Sequence, residues 1–281
     1  MRKTIEENFK YYEIGPPNGL ININFREIWQ YKDLLYILIW RNIKVRYKQT
    51  IIGAAWAVLL PLFTMIIFTI IFSRIAKIPS DNVPYPIFVY LGLIYWNYFS
   101  SALSGANSSL IESQAIIKKI YFPRLIIPLA TTVTPLIDFL LAFIILFGLM
   151  AYLHYLPHFI GILFVPLLLL ITFCCATGLG LIAASMNVKY RDIQFALSFF
   201  IQVLFYATPI IYPLSIIPER FRWLLYFNPM AGVITVAKNS LFGSSPVDWR
   251  FLGISLGISL VLLILGLIYF RKSEQIFADI L

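Results

Sequence analysis

The segment RNIKVRYKQTIIGAAWAVLL, residues 41–60, contains the boundary that decides the fold. Its four cations precede an apolar segment that carries no further charge before Arg74. These cations are Arg41, Lys44, Arg46 and Lys48. The hydrocarbon core of a bilayer is about 30 Å thick, and a helix of roughly 20 apolar residues crosses it. Residues 51–73 are long enough, and cations beside a span favour the cytoplasmic side. The boundary therefore predicts a membrane protein whose N-terminus lies in the cytoplasm.

The composition agrees with a membrane protein. Of the 281 residues, 60% are hydrophobic and only 12% are charged, and the mean hydropathy is +0.83. Soluble domains carry about 25% charged residues. The chain is therefore too apolar for a soluble domain of ordinary composition.

Six segments are apolar and long enough to be spans: residues 51–73, 86–106, 125–152, 160–186, 195–212 and 251–270. If the N-terminus is cytoplasmic, 16 of the 22 Lys and Arg residues lie on the cytoplasmic side and six on the other. This bias fits six spans with both termini inside. The net charge of +9 is then a signal of topology, and nucleic acid is not expected as a partner.

The predicted organisation is all-α. It comprises an N-terminal cytoplasmic extension (1–23), an amphipathic interface helix (24–50), a six-span transmembrane domain (51–272) and a cytoplasmic tail (273–281). In the interface helix, cations recur at helical spacing opposite an apolar face, which is typical of a helix lying in the membrane interface. Within the transmembrane domain, residues 107–124 form a polar, basic cytoplasmic loop.

Residues 213–249 predict a re-entrant helical hairpin between spans five and six. Two short apolar helices are expected here, and neither is long enough to span. Asn228 and Pro229 fit a helix start, and Gly243 fits a helix end. A helical hairpin on the outer surface is the alternative.

Asp138 is the clearest ionisable residue inside a predicted span. Such residues are costly in a membrane and are often functional. No cation lies within the spans to pair with it, so an ion-coupled pump is poorly supported. An interhelical hydrogen bond and a functional role both remain open.

Aromatic and amide side chains recur at helical spacing within three predicted spans. The candidates for a substrate channel are Trp56, Phe63, Tyr90, Asn97, Phe199, Gln202 and Tyr206. Aromatic faces accept the C–H faces of sugar rings, while Tyr, Asn and Gln bond hydroxyl groups. Helix packing, or lipid-facing aromatic residues, is the alternative reading of the same pattern.

The predicted fourth span carries a row of small residues, Ala176, Gly180 and Ala184. Small residues four apart lie on one face of a helix, and the row predicts close packing against a neighbouring helix.

Enzymatic signatures are absent from the sequence. It contains no G-x-x-x-x-G-K-[ST] loop for nucleotide phosphates and no set of Cys and His residues spaced for a metal. Cys174 and Cys175 are adjacent in an apolar run and are interpreted as packing residues. We expect no catalytic residue, no metal and no cofactor on this chain.

Several short motifs, in order around the six spans, resemble the membrane subunit of ABC-2-type polysaccharide and polyol-phosphate exporters. These motifs are Arg46–Gly53 followed by Trp56 and Pro61, Phe122-Pro123-Arg124, Asn187–Asp192, Thr208–Tyr212 and Asn228-Pro229-Met230. The resemblance covers about residues 24–272. Exporters of this family move O-antigen, capsule or teichoic-acid chains.

The resemblance implies a homodimeric channel in a bacterial inner or plasma membrane. It also implies two separate ATPase subunits, which bind ATP and Mg, and a lipid-linked glycan as the substrate. Residues expected to couple to the ATPase are Arg41, Lys44, Arg46, Glu112, Gln114, Lys118, Lys119, Arg191 and Asp192. Arg220 and Arg222 are expected near the exit, where they meet either phosphate or acidic sugars, or solvent beside lipid headgroups.

Two other functions remain open. One is an ABC-2 permease that exports a drug or a small lipid. The other is a membrane-embedded glycosyltransferase, which would need clustered acids or a metal site at a membrane face. The acidic residues Asp81, Asp138, Asp192 and Asp248 lie far apart in the sequence, which disfavours the enzyme.

Overall fold

The computed structural model describes residues 29–48, 55–275 and 277, and these residues contain no strand. The helices are α1 (Lys32–Lys48), α2 (Ala55–Phe68), α3 (Tyr85–Glu112), α4 (Gln114–Ile117), α5 (Ile126–Val133), α6 (Leu136–Tyr152), α7 (Phe159–Lys189), α8 (Ile193–Ala207), α9 (Glu219–Tyr226), α10 (Pro229–Phe242) and α11 (Trp249–Glu274). A π-helix, Thr69–Ile75, continues α2, and a 3-10 turn, Leu214–Ile216, precedes α9. The predicted extension 1–23, both ends of the predicted helix 24–50, Gly53 and most of the tail lie outside the described residues.

Four helical stretches of the described chain are long and apolar enough to cross a membrane. They are Val58–Ile75, Ile126–Tyr152, Phe159–Lys189 and Trp249–Glu274. The apolar helix α8 is shorter, with 15 residues, and α3 is long but more polar and mostly buried. The prediction of an all-α membrane protein is confirmed, while the number of six spans stays a prediction.

Prolines set several helix boundaries. Pro84 and Pro86 flank the start of α3, and Pro135 separates α5 from α6 within the predicted third span. Proline lacks a backbone N–H and clashes with the preceding helical turn, so it favours starts and breaks over helix interiors. The observed helices differ from the predicted spans mainly at two ends: α3 continues to Glu112, six residues beyond its predicted end, and α8 stops at Ala207.

Glycines allow α7 and α11 to approach each other backbone to backbone. A methyl group at Gly266 would lie 2.3 Å from the carbonyl oxygen of Gly178. A methyl group at Gly178 would lie 2.5 Å from the carbonyl carbon of Leu262. Small residues permit such approaches in membrane helices, and the contact area they gain drives association.

The core is built around α7, which packs against α3, α10 and α11. The predicted row of small residues Ala176, Gly180 and Ala184 is buried. A methyl group at Gly180 would lie 2.6 Å from the Cβ of Ala106 on α3. The prediction that this row serves close helix packing is therefore confirmed.

Helix α10 lies inside this core along almost its whole length. The predicted start is confirmed, because the Asn228 side chain accepts a hydrogen bond from the backbone N–H of Met230 at 3.1 Å. The predicted end is also confirmed, because Gly243 follows the helix with a φ of +63°. Its neighbour α9 has no buried residue. Re-entry of this hairpin into the membrane stays a prediction.

The loops gather at two ends of the bundle. At the α1 end, Leu38 packs with Phe122 and Ile126, and Arg124 bonds Glu274 beyond the apolar part of α11. At the opposite end, the Ser215 hydroxyl donates to Asp81 at 2.9 Å. At each end of the bundle, the fold therefore brings together loops and helix ends that are far apart in the sequence.

Replacement of Gly266 by alanine tests the α7–α11 contact. Alanine in a helix is favoured over glycine by up to about 1 kcal/mol, but overpacking costs about 1–3 kcal/mol. We expect Gly266→Ala to lower the Tm of the purified protein in detergent. The matched control is Gly257→Ala on the same helix, where a methyl group meets no atom within 4 Å and where Tm is expected to stay equal or to rise. An equal or higher Tm for Gly266→Ala would contradict the close approach.

Candidate functional site

The predicted stripe on α8 is exposed on the surface of the protomer. Phe199 is 69% exposed and Tyr206 is 61% exposed, and Gln202 lies between them on the same face. No residue of α8 is buried. A helix so apolar and so little covered must face lipid, a second protein chain or a channel.

The stripe on α2 is exposed as well. Trp56 and Phe63 are 43% and 54% exposed and are separated by two helical turns. The helices α2 and α8 meet near the end of the bundle that is opposite to α1, where the ring centroids of Phe68 and Phe205 lie 6.0 Å apart. Phe205 also contacts Trp96 of α3, with a centroid distance of 5.6 Å. Thus α2 and α8 present exposed aromatic stripes, while Phe68 and Phe205 join them to the core.

Two channel candidates lie on α3. Tyr90 is fully buried in the core, and its hydroxyl has no hydrogen-bond partner among the described residues. Asn97 is half-buried on the same helix. The structure therefore does not bring Tyr90 to the surface that carries Phe199 and Tyr206. The reason is that α3 lies inside the bundle, packed against α7, α10 and α6.

A buried lysine holds the turn at which α8 ends. Lys238 of α10 is 4% exposed. Its Nζ donates to the carbonyl oxygens of Pro209 and Ile210 at 2.8 and 2.9 Å and lies 3.5 Å from the centroid of the Phe88 ring. Cations favour unpaired carbonyls beyond a helix C-terminus. Lys238 thus gives a donor to two buried carbonyl groups that follow the last residue of α8.

Two further side chains fix the same turn. The Tyr85 hydroxyl donates to the carbonyl oxygen of Ile211 at 2.8 Å. The amide of Asn228 donates to the Thr208 hydroxyl at 2.8 Å. Residues 208–212 are therefore a clamped turn rather than the last part of a span. The sequence analysis counted Lys238 only as one of the six cations on the non-cytoplasmic side and missed this role, although a lone lysine in the apolar run of α10 was the available signal.

The C-terminal end of α1 is bound to α6 by an ion pair. Arg46 Nη1 lies 2.7 Å from Asp138 Oδ2. The Tyr47 hydroxyl also donates a hydrogen bond to Asp138. Burial, reinforced by the Asp138 carboxylate, raises the pKa of the Tyr47 phenol, so this hydroxyl remains protonated and able to donate. We call Arg46, Tyr47 and Asp138 the latch.

The latch gives Asp138 a cationic partner from outside the predicted spans. The cation comes from the helix before the first span, not from another span, because α1 packs along α5 and brings its last turn to α6. Arg46 was predicted to contact an ATPase. Here it contacts its own chain.

The other predicted coupling residues are polar or charged and lie at the α1 end. Seven of them are exposed: Arg41, Lys44, Glu112, Lys118, Lys119, Arg191 and Asp192. The eighth, Gln114, is half-buried. The segment from Ile117 to Arg124 lines a cavity of about 230 Å³. This end therefore offers an exposed, mainly cationic surface, which we call the basic surface.

Arg220 and Arg222 lie on α9 at the opposite end. The Arg220 guanidinium lies 4.7 Å from the ring centroid of Phe221. Arg222 Nε donates to the carbonyl oxygen of Ile217 at 3.0 Å. Among the described residues, no group of three or more His, Cys, Asp or Glu side chains is placed to hold a metal ion.

Comparison with known proteins decides the family. The sequence profile of the family "ABC-2 type transporter" matches residues 33–242 of the chain. The chain belongs to the ABC-2 type transporter family. The matched region runs from the start of α1 to the end of α10, and so it includes the latch, both aromatic stripes and the clamped turn.

Curated relatives of this ABC-2 chain match over nearly their full length. It is 31% identical over 255 residues to an "O-antigen export system permease protein RfbA" of Klebsiella pneumoniae, covering 89% of this chain and 95% of the relative. An RfbA of Myxococcus xanthus is also 31% identical, covering 90% and 97%. The "Polysialic acid transport protein KpsM" of Escherichia coli is 24% identical, covering 84% and 91%. The chain is accordingly a multi-pass membrane transport subunit.

Removal of either charge tests the latch. We expect Arg46→Gln and Asp138→Asn each to lower Tm, because the first leaves the partly buried Asp138 carboxylate without its cation and the second removes both the ion pair and the charged acceptor of the Tyr47 hydroxyl. The double variant is expected to lose little more than one single variant, with a coupling of about 0.5–3 kcal/mol, as for residues in contact. The control is Arg41→Gln, since Arg41 is exposed and, among the described residues, bonds only its neighbour Asn42. Additive losses in the double variant would contradict the latch.

Proposed function

We propose that this chain is the channel-forming subunit of an ATP-driven exporter of a lipid-linked polysaccharide. The observation that carries the proposal is the full-length similarity to permeases named for O-antigen export and polysialic acid transport. Both of those cargoes are sugar polymers. A polymer needs a path with many weak contacts, because a tight site would stop it from sliding.

In this proposal the path lies between two copies of the chain. The exposed stripes on α2 and α8 supply aromatic faces, and Gln202 supplies hydrogen-bond groups. Two protomers that meet along these helices cover surfaces that the single chain leaves open. The homodimer also places two sets of stripes around one pathway.

The energy comes from a separate ATPase, because the sequence contains no phosphate-binding loop. The basic surface is the proposed contact for that ATPase, which binds ATP and Mg. The latch joins α1 of this surface to α6, and α1 precedes the channel helix α2 directly in the chain. A push on α1 therefore has a short covalent path to the channel wall.

The proposed location is a bacterial inner or plasma membrane, with both termini in the cytoplasm. Most cations of the chain belong to segments at the α1 end, which is therefore placed inside. The clamped turn and α9 then lie at the outer end.

Deletion of the gene tests this function directly. If the proposal is right, the deletion strain synthesises its glycan but retains it inside, and the restored gene returns it to the surface. Unchanged surface glycan, together with altered drug resistance or altered surface lipids, would favour the small-molecule permease instead.

Shortening the α8 stripe tests the channel. We expect Tyr206→Ala to slow glycan export severalfold while the protein level and the assembly with the ATPase stay normal, because a sugar-stacking surface is lost. The matched control is Phe159→Ala on α7, which removes another highly exposed aromatic side chain outside the stripes. Equal export in both variants and in the wild type would remove Tyr206 from the pathway.

Charge reversal tests the basic surface. The double variant Lys118→Glu, Lys119→Glu is expected to recover much less ATPase in a pull-down, especially at low salt, because exposed charges act over about 10 Å at 0.1 M salt. Arg250→Glu, an exposed cation at the opposite end, serves as the control. Normal ATPase recovery by the lysine variant, measured at several salt concentrations, would exclude this surface as the contact.

A further inference from the structure

Two cavities of different chemistry flank α9 at the opposite end of the bundle. The first, of about 570 Å³, is lined mainly by apolar side chains, including Leu204 of α8 and Phe221, Leu224 and Leu225 of α9. We call it the apolar cavity. The second, of about 480 Å³, lies between residues 209–215, α10 and residues 244–248. We call it the polar cavity. Both have the size of ordinary ligand sites.

The Arg222 side chain marks the border between the two cavities. It lines the polar cavity, and its Nε donates to the carbonyl oxygen of Ile217, a residue that lines the apolar cavity. Arg222 lies 3.7 Å from Glu219, but the Glu219 side chain is 90% exposed and such pairs contribute little. Arg222 therefore retains its Nη donors for an anion. Arg220, two residues away, lines neither cavity and projects to a different side of the helix.

The polar cavity offers hydrogen-bond groups that the protein does not use. Thr235 is 5% exposed, lines this cavity, and its hydroxyl has no partner among the described residues. Asn239, Ser244 and Ser245 line the same space. A buried, unpaired hydroxyl costs about 1–3 kcal/mol unless a ligand or water pairs it. The wall therefore fits a ligand that is rich in hydroxyl groups.

We propose that the two cavities form one binding site for a lipid whose phosphate carries a hydroxyl-rich ring. The hydrocarbon chain lies in the apolar cavity, the phosphate pairs with Arg222 at the border, and the ring lies in the polar cavity. The site rests on the proposed function, since the lipid-linked end of an exported glycan has this chemistry. The site would hold the lipid-linked end of the glycan beside the clamped turn after α8, next to the proposed exit of the channel.

The charges favour a lipid over a second copy of the chain. An apolar protein surface seated on the apolar cavity would cover the Arg222 guanidinium group without an anion, and unpaired buried charge is strongly unfavourable. A phosphate pairs this group with charge-assisted hydrogen bonds. It also leaves the headgroup facing the unpaired Thr235 hydroxyl.

Native mass spectrometry of the purified full chain in detergent tests the site with three lipids. Phosphatidylinositol carries phosphate and a hydroxyl-rich ring, phosphatidylglycerol carries phosphate and a short diol, and phosphatidylcholine has no net charge. We expect the wild type to retain phosphatidylinositol several-fold more than phosphatidylglycerol, and phosphatidylcholine least.

Four variants assign the parts of the site. Arg222→Gln is expected to lower the retention of both anionic lipids about tenfold, the factor for about 1.4 kcal/mol. Asn239→Leu should lower only phosphatidylinositol, to the level of phosphatidylglycerol. Leu225→Trp, which fills the apolar cavity, should lower all three lipids. Arg250→Gln is the matched control and should change none.

Three results would overturn the proposal. They are equal retention of all three lipids, equal retention of the two anionic lipids with no effect of Asn239→Leu, and an effect of Arg250→Gln as large as that of Arg222→Gln. The second result would show that the protein binds anionic lipids by charge alone, without selectivity for the headgroup. The lipid experiment uses neither the ATPase nor transport. A negative result in it would exclude the lipid site but not glycan export. Unchanged surface glycan in the deletion strain would exclude glycan export but not lipid binding.

Discussion

The close approach of α7 and α11 at Gly178 and Gly266 is the contact on which the rest of the bundle depends. Inside a membrane, water does not drive helices together, so backbone contact and packing must supply the association energy. Once these two helices are fixed, α10 packs against both, and α3 packs against the other side of α7. The core is then complete without α8, and α2 adds little to it.

This division of the bundle suits a transport protein. A core packed through glycines is stiff, because its backbones leave no space into which to move. By contrast, α8 has no buried residue and carries an exposed aromatic stripe. At one end α8 is held by the turn that Lys238, Tyr85 and Asn228 clamp. The latch attaches α1 to the core a few residues before α2. The latch and the clamped turn are therefore expected to be fixed points, and α2 and α8 are expected to move about them relative to the core.

Local signals in the sequence predicted part of this arrangement. The helix start at Asn228, the end at Gly243 and the packing row around Gly180 follow from short-range chemistry, and all three are confirmed. The end of α8 at Ala207 was missed although Pro209, which disfavours helical backbone at Thr208, is a local signal for it. The pairing of the carbonyl groups after this end could not be predicted, because it depends on Lys238, which is 31 residues from Ala207 in the chain. The partner of Asp138 was missed for the same reason, since Arg46 is 92 residues distant. The burial of Tyr90 also depends on neighbours that helical spacing does not reveal.

The central claim is that the exposed stripes of α2 and α8 line a watery pathway between two copies of the chain, not a lipid-facing surface. Cysteine substitution at Phe199 and Tyr206, followed by labelling of intact membranes with a membrane-impermeant maleimide, measures this most directly. The native Cys174 and Cys175 are buried and so give little background. The account predicts labelling at Phe199 and Tyr206, and none at the exposed apolar positions Ile144 and Leu163 outside the stripes. Absence of labelling at all four positions, with and without ATP and the partner ATPase, would contradict it.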